Sequence, residues 1–114
     1  LLHQEKTMAF SIVTMQNVQV HQPVKFTFDG NSHEFTAQFK LLDDDANEAL
    51  AESGDHEMIK RVLVDWGDDF VDENNKPLPF NDDNLAKCLK VSWWRTAVLD
   101  AYFIAVAVAG RKNY

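Results

Sequence analysis

The chain has 114 residues, of which 46% are apolar, and its 18 acidic and 11 basic side chains give a net charge of -7. This length and apolar content predict one globular domain with a modest core. The acidic balance argues against general nucleic-acid binding and against binding to anionic membrane surfaces, because both attract Lys and Arg.

The first third of the sequence predicts β-structure. Residues 1–9 are expected to be flexible. The stretch 10–20 is rich in β-branched and apolar residues, which favours one or two short strands broken near Gln16-Asn17. Pro23 is expected to interrupt the chain there, because it cannot donate to a strand ladder.

A hairpin follows, predicted from strict alternation of apolar and polar residues. The turn formers between its strands are Asp29-Gly30-Asn31-Ser32-His33. Its apolar face needs cover from other elements. The side chains of that face are Val24, Phe26, Phe28, Phe35, Ala37 and Phe39.

Two helices are predicted next. Any residue of Asp43-Asp44-Asp45 can cap the first, and Gly54 ends it. Asp55 is expected to cap the second helix, 56–65, which should end at Trp66-Gly67. The apolar stripe of this second helix consists of Met58, Ile59, Val62, Leu63 and Trp66.

An acidic loop and two further helices complete the chain. Asn81 is a natural N-cap for a short helix whose inward side carries Leu85, Cys88, Leu89 and Val91. Ser92 is expected to cap the last helix, 93–109. That helix has two apolar stripes, one with Trp94, Ala97, Val98, Ala101, Ala105 and Val108, the other with Leu99, Phe103 and Val106. Either it is a central helix wrapped by the domain, or one stripe meets another subunit.

The order of strands and helices predicts an α+β fold. We expect an N-terminal antiparallel β-hairpin or small sheet, packed on a C-terminal bundle of about four helices. One domain should span residues 1–114, with a β part at 10–41 and a helical part at 42–110.

No pattern of catalytic residues emerges. The acidic loop fails the calcium-loop spacing, because Phe70 and Glu73 stand where an acidic ligand and Gly are needed. The four histidines are scattered, and neither a phosphate-binding Gly-rich loop nor a nucleophile motif is present. Cys88 is expected to be a buried apolar residue. We therefore expect no enzyme activity, no metal and no cofactor.

The tryptophans suggest a protein-binding surface instead. Trp93 and Trp94 are adjacent on a helix and point about 100° apart, so either one of them faces a partner or the helix has a second buried face. Arg95 beside them can pair with the acidic loop or stack on a ring. The predicted partner-binding residues are Trp66, Phe70, Leu78, Phe80, Trp93, Trp94 and Tyr102, with a polar rim of Asp65, Asp68, Asp69 and Asp72.

A family resemblance rests on the segment between the second and last helices. Trp66-Gly67 is followed by Asp72, then by Pro77-Leu78-Pro79-Phe80, Asn81 and Leu85. This order resembles the tail assembly chaperones of long-tailed bacteriophages, and the similarity extends over roughly residues 24–109. Asn75 and Asp83 depart from the usual Gly and Glu of that pattern.

The resemblance implies a chaperone that binds the tape measure protein and helps tail tube subunits assemble around it. Such a protein acts in the cytoplasm of the bacterial host, is absent from the mature virion, and in some members self-associates into oligomers. An alternative is a small acidic protein that mimics DNA and inhibits a host nucleic-acid enzyme, using the acidic clusters at 43–45 and 65–73. A small hydrolase is a third possibility, without a motif to support it.

Overall fold

The computed structural model describes residues 7–111, which combine a three-stranded antiparallel sheet with helices. The strand order is β1-β2-β3. The α+β prediction is confirmed, while the prediction for residues 1–9 falls mostly outside the described residues. The elements are α1 (Ile12–Gln16), β1 (Gln19–Phe28), β2 (Asn31–Lys40), α2 (Asp44–Ser53), α3 (Asp55–Val62), β3 (Leu63–Trp66), α4 (Asp82–Leu89) and α5 (Ser92–Val108).

The predicted hairpin is confirmed in detail. β1 and β2 pair from Gln19↔Lys40 to Phe28↔Asn31, which leaves Asp29 and Gly30 as a two-residue turn. Both turn residues have positive φ, 48° and 81°, as the tightest right-twisting hairpin turn requires. The sequence Asp-Gly therefore sets the register between β1 and β2.

Pro23 does not interrupt β1, contrary to the sequence prediction. It pairs with Thr36, whose backbone N–H points away from β1 and donates to the Asp69 carboxylate. At such a position the facing residue has no ladder bond to donate, and β1 lies at the sheet edge. The missing N–H of proline is therefore harmless here.

Two further sequence predictions are wrong. Residues 12–16 form the short helix α1 rather than a strand, because the Ser11 side chain accepts from the Thr14 N–H and caps it. The helix predicted to reach Asp65 ends at Val62, and Leu63–Trp66 forms β3 against the free edge of β2. Thus α1 lies within the predicted β part of the chain, and β3 lies within the predicted helical part.

Helix caps are partly as predicted. Asp43 caps α2 by accepting from the Ala46 N–H, and Asn81 caps α4 by accepting from the Asn84 N–H. Asp55 and Ser92, however, are the first residues of their helices, and Gly54 and Val91 occupy the N-cap positions without a side-chain bond.

The core lies between one sheet face and helices α3 and α5. Helix α5 contacts β1, α3 and α4, so it is the central helix of the described chain. Its buried face consists of Trp94, Val98, Ala101, Tyr102 and Ala105. Its opposite face stays open, with Trp93, Phe103, Ile104 and Val108 between 43% and 55% exposed. Leu99 and Val106 of the second stripe pack against the core, whereas Phe103 of that stripe and Val108 of the first are exposed. The central-helix interpretation therefore accounts for most of both stripes.

Candidate partner-binding surface

Trp66 is the centre of an aromatic cluster in the core and is only 6% exposed. Its indole Nε1 donates a 2.7 Å hydrogen bond to the Leu78 carbonyl oxygen. The rings of Phe70 and Phe80 lie 4.6 and 4.8 Å from it, between ring centroids. Phe70, Leu78 and Phe80 are half-buried, so the loop that follows β3 is a cover for this cluster.

Trp94 and Tyr102 are also core residues. Trp94 is 5% exposed and stacks on Phe35 with ring centroids 6.0 Å apart. The fully buried Tyr102 hydroxyl donates to Asn47 Oδ1 at 2.6 Å and accepts from the Leu42 N–H. The placement of Trp66, Trp94 and Tyr102 on a partner surface is thereby corrected, because their side chains are packed inside the chain itself.

Asp72 organises the acidic loop. Its Oδ1 accepts from the N–H groups of Asn74 and Lys76, at 2.8 and 3.1 Å. Asn75 adopts a positive φ of 64°, a conformation that Asn tolerates where Gly is usual. A bridge between Val71 and Pro77 closes the turn. This carboxylate therefore stabilises the turn of the loop.

The other three acidic residues of the predicted rim differ in their roles. Asp65 accepts from the backbone N–H of Trp66, next to it in the chain. Asp69 accepts from both the backbone N–H and the hydroxyl of Thr36, at 2.9 and 2.8 Å. Asp68 is exposed. The Gly67 N–H also donates to the Thr36 carbonyl oxygen. Thr36 of β2 therefore holds the start of the loop in place.

The Asp69 carboxyl has a pKa below its usual range, mainly because the Thr36 backbone N–H binds the ionised form. A lowered pKa in the folded state means that this group stabilises the fold above the pKa of an unfolded Asp, about 3.9. The stabilisation by Asp69 is lost as the pH falls from about 3.9 through the lowered pKa of its carboxyl.

We expect Asp69→Ala to reduce the free energy of unfolding at pH 7 by about 1 kcal/mol, since a charged hydrogen-bonded group this exposed is partly screened by solvent. Urea denaturation at pH 7 and at pH 3 measures it, and the loss should shrink at the lower pH. Asp68→Ala is the control, with the same charge change beside it. Equal losses in the two variants would contradict the role given to Asp69.

The described residues contain no group of three or more His, Cys, Asp or Glu side chains able to hold a metal ion. Burial raises the pKa of the Cys88 thiol to about 11, so at neutral pH it is protonated and a poor nucleophile. Arg95 donates to the Leu89 carbonyl and lies 3.9 Å from the Asp55 carboxylate. Its ion pair is therefore with α3 and not with the acidic loop, which was one of its two expected contacts.

Trp93 is the tryptophan that faces outward, at 55% exposure. Its ring meets Phe28 and Phe26 edge to face, with centroids 5.0 and 5.7 Å away. Phe28 is itself 44% exposed, and the Phe26 ring stacks on the ring of the buried Phe35. The prediction that adjacent tryptophans diverge is confirmed, and the outer one forms an aromatic corner with β1.

This aromatic corner closes one end of a groove of about 740 Å³ between β1 and α5. Along the helix, Trp93 and Ile104 are large, whereas Ala97 and Ala101 between them are small and form the floor. Lys25 and Asp100 contribute one charge of each sign. The groove is therefore mixed in character: apolar side chains form the aromatic corner, the floor and the Ile104 end, and six of its 13 lining residues are polar, two of them charged.

In comparisons with protein-family models, curated proteins and solved structures, no match was found. The function must therefore be argued from the surface itself. An exposed groove of this kind can bind an apolar helix or extended segment of another protein. A second, smaller groove of about 490 Å³ lies between α3 and α4, next to Phe80.

A second exposed apolar surface lies in residues 7–17, which we term the N-terminal arm. Its large side chains are Met8, Phe10, Ile12, Val13 and Met15, each between 52% and 77% exposed.

Within residues 7–111 no single helix is long and apolar enough to cross a membrane. Helices α4 and α5 meet that requirement only as a pair, by length and composition, and the pair bends by 105°.

Sequence reasoning missed the arm, Phe28 and Ile104 as surface features. The arm had a visible signal, because residues 7–20 contain no charged side chain in a chain that is 25% charged. No signal in the sequence indicated that Phe28 is exposed, because its exposure depends on how far α5 extends along β1. Among the predicted aromatic and aliphatic surface residues, Phe70, Leu78, Phe80 and Trp93 have solvent exposure in this fold.

Proposed function

We propose that the protein is a non-enzymatic tail assembly chaperone of a long-tailed bacteriophage. It binds an apolar helical segment of the tape measure protein and aids assembly of the tail tube in the cytoplasm of the host bacterium. It leaves before the virion is complete. The supporting observation is the groove that runs along α5 from Trp93 to Ile104, where the large apolar side chains of Phe28, Trp93 and Ile104 are exposed.

The chemistry of this groove suits an insoluble helical client. Monomeric proteins rarely leave contiguous apolar surface in water unless another molecule covers it. The aromatic corner supplies a rigid Trp side chain, the type that most often dominates a protein interface. Meanwhile the net charge of -7 keeps the loaded protein soluble.

The segment that carries the family resemblance has a structural role. Trp66 is held by the Leu78 carbonyl, Phe80 closes over its ring, and Asn81 begins α4. These contacts hold the loop after β3 and the start of α4 against the sheet. The alternative of a DNA mimic gains no support, because the Asp69 and Asp72 carboxylates are engaged by their own chain.

The test is co-expression with the tape measure protein encoded at the same locus. The client should stay soluble and elute together with the wild-type chain. Trp93→Asp should weaken binding by at least about 30-fold, the usual effect of losing an interface hot spot. Circular dichroism checks that the variant is folded.

Val71→Asp is the matched control, because Val71 is an exposed apolar residue that does not line the groove. It should leave binding unchanged. A client that stays insoluble with the wild-type chain would count against the function itself. Loss of binding in Val71→Asp but not in Trp93→Asp would instead place the client on the loop after β3.

A further inference from the structure

We infer that Pro23 prevents the β1 edges of two copies of this chain from pairing into one continuous sheet. The inference goes beyond the proposed function, because it concerns the edge of the sheet and not the client. It rests on the position of this proline in the strand and on the direction of the backbone groups around it.

Strand β1 is an end strand of the three-stranded sheet and is ten residues long. It pairs with β2 along its whole length, so its other side is a continuous edge. Helix α5 leaves this edge accessible, since Lys25 and Thr27 are exposed and line the groove between β1 and α5. A long open edge presents a row of backbone N–H and C=O groups to which a second strand can bind.

The hydrogen bonds of Thr36 show which residues of β1 point towards the open edge. The Thr36 N–H donates to Asp69 and its carbonyl oxygen accepts from Gly67, so both groups point away from β1. Its partner Pro23 therefore points away from β2, and residues two apart along the strand share this direction. The outward residues of β1 are Gln19, His21, Pro23, Lys25 and Thr27.

Pro23 is the middle one of these five outward residues. In an antiparallel pair the numbers of facing residues add up to a constant, so two β1 edges can align in only a few ways. The longest alignment places Pro23 opposite Pro23 of the second copy. Each shifted alignment with three or four facing pairs places it opposite another outward residue. Every alignment that uses three or more outward residues of each chain therefore includes this proline.

A proline in such a pair is a steric obstacle as well as a lost donor. Each outward pair would exchange two N–H···O=C bonds with the second copy. At Pro23 a ring carbon occupies the place of the hydrogen, so the facing carbonyl oxygen cannot approach to bonding distance. The sheet of the same chain loses nothing, because Pro23 faces Thr36 where β1 and β2 exchange no ladder bond. The proline therefore acts only against an additional strand.

Pro23→Thr tests the inference, because it supplies the missing N–H in a residue type that favours strands. At equal concentration we expect this variant to have about twice the molar mass of the wild-type chain by light scattering and sedimentation equilibrium. Its circular dichroism spectrum should still show the folded domain. Hydrogen exchange followed by NMR should show the Lys25 and Thr27 amide protons protected at least about tenfold more than in the wild type.

His21→Thr is the matched control, since it introduces the same side chain on the same edge at a position that already has an N–H. It should keep the molar mass of the wild type. The double variant Pro23→Thr/Lys25→Pro returns a proline to an outward position and shortens the longest proline-free alignment from five pairs to three. Its dimer should dissociate at a concentration at least about tenfold higher than that of Pro23→Thr.

Four results would overturn the inference. They are an unchanged molar mass of Pro23→Thr, an equal increase in His21→Thr, a dimer of equal strength in the double variant, and a dimer in which the Lys25 and Thr27 amide protons gain no protection. The last result would place the contact between copies away from the β1 edge.

Discussion

Trp66→Ala is expected to lower the free energy of unfolding by about 3–5 kcal/mol, the range for removing a large aromatic side chain from a packed core. The substitution would leave a cavity among the Phe70, Phe80 and Trp94 rings. It would also leave the Leu78 carbonyl without its hydrogen bond from the indole. Because the total stability of a small domain is about 5–15 kcal/mol, much of the protein could be unfolded at 37 °C.

Trp93→Ala is the matched control, since it removes the same side chain from a position that is 55% exposed. A loss of about 1 kcal/mol is expected, through its edge contacts with Phe28 and Phe26. Urea unfolding followed by far-ultraviolet circular dichroism measures both. Similar losses in the two variants would refute the division into an inner and an outer tryptophan.

Val98→Asp is expected to prevent stable folding at neutral pH. The Val98 side chain is fully buried on the inner face of α5, and a carboxylate there would be desolvated without a partner. Such a group has a raised pKa in the folded state, so the destabilisation should ease as the pH falls towards 4. Thermal melts at pH 7 and pH 4 measure this effect.

Phe103→Asp tests the other face of the same helix. Phe103 is 47% exposed, so its carboxylate variant remains solvated and should fold with a loss of about 1 kcal/mol or less. If Phe103→Asp also unfolds the chain, the side of α5 that carries Phe103 is part of the core.

Local signals explain what could be predicted. The Asp29-Gly30 turn and the alternation around it determine the hairpin, and Asp43 and Asn81 cap their helices through bonds to backbone three residues away. These interactions lie within a few residues of chain, so sequence pattern contains them. The 100° separation of adjacent helical residues likewise separates Trp93 from Trp94.

Nonlocal pairing explains most of what was missed. Leu63–Trp66 continues the apolar pattern of α3, but it forms a strand because it can pair with the open edge of β2. This pairing has a register shift between Gln38 and Phe39. That shift brings Leu63 and Trp66 to the buried side together. Once Trp66 is in the sheet, the loop with Phe70 and Phe80 must cover it. Trp66, which was predicted to lie on a partner surface, is therefore a core residue.

The contrast between the tryptophans gives this chain a built-in optical reporter. Trp66 and Trp94 are buried among other aromatic rings, whereas Trp93 is exposed to solvent at the aromatic corner of the groove. Their emission and their access to a soluble quencher are therefore separable within one spectrum. Occupation of the groove changes the Trp93 component, and unfolding changes all three.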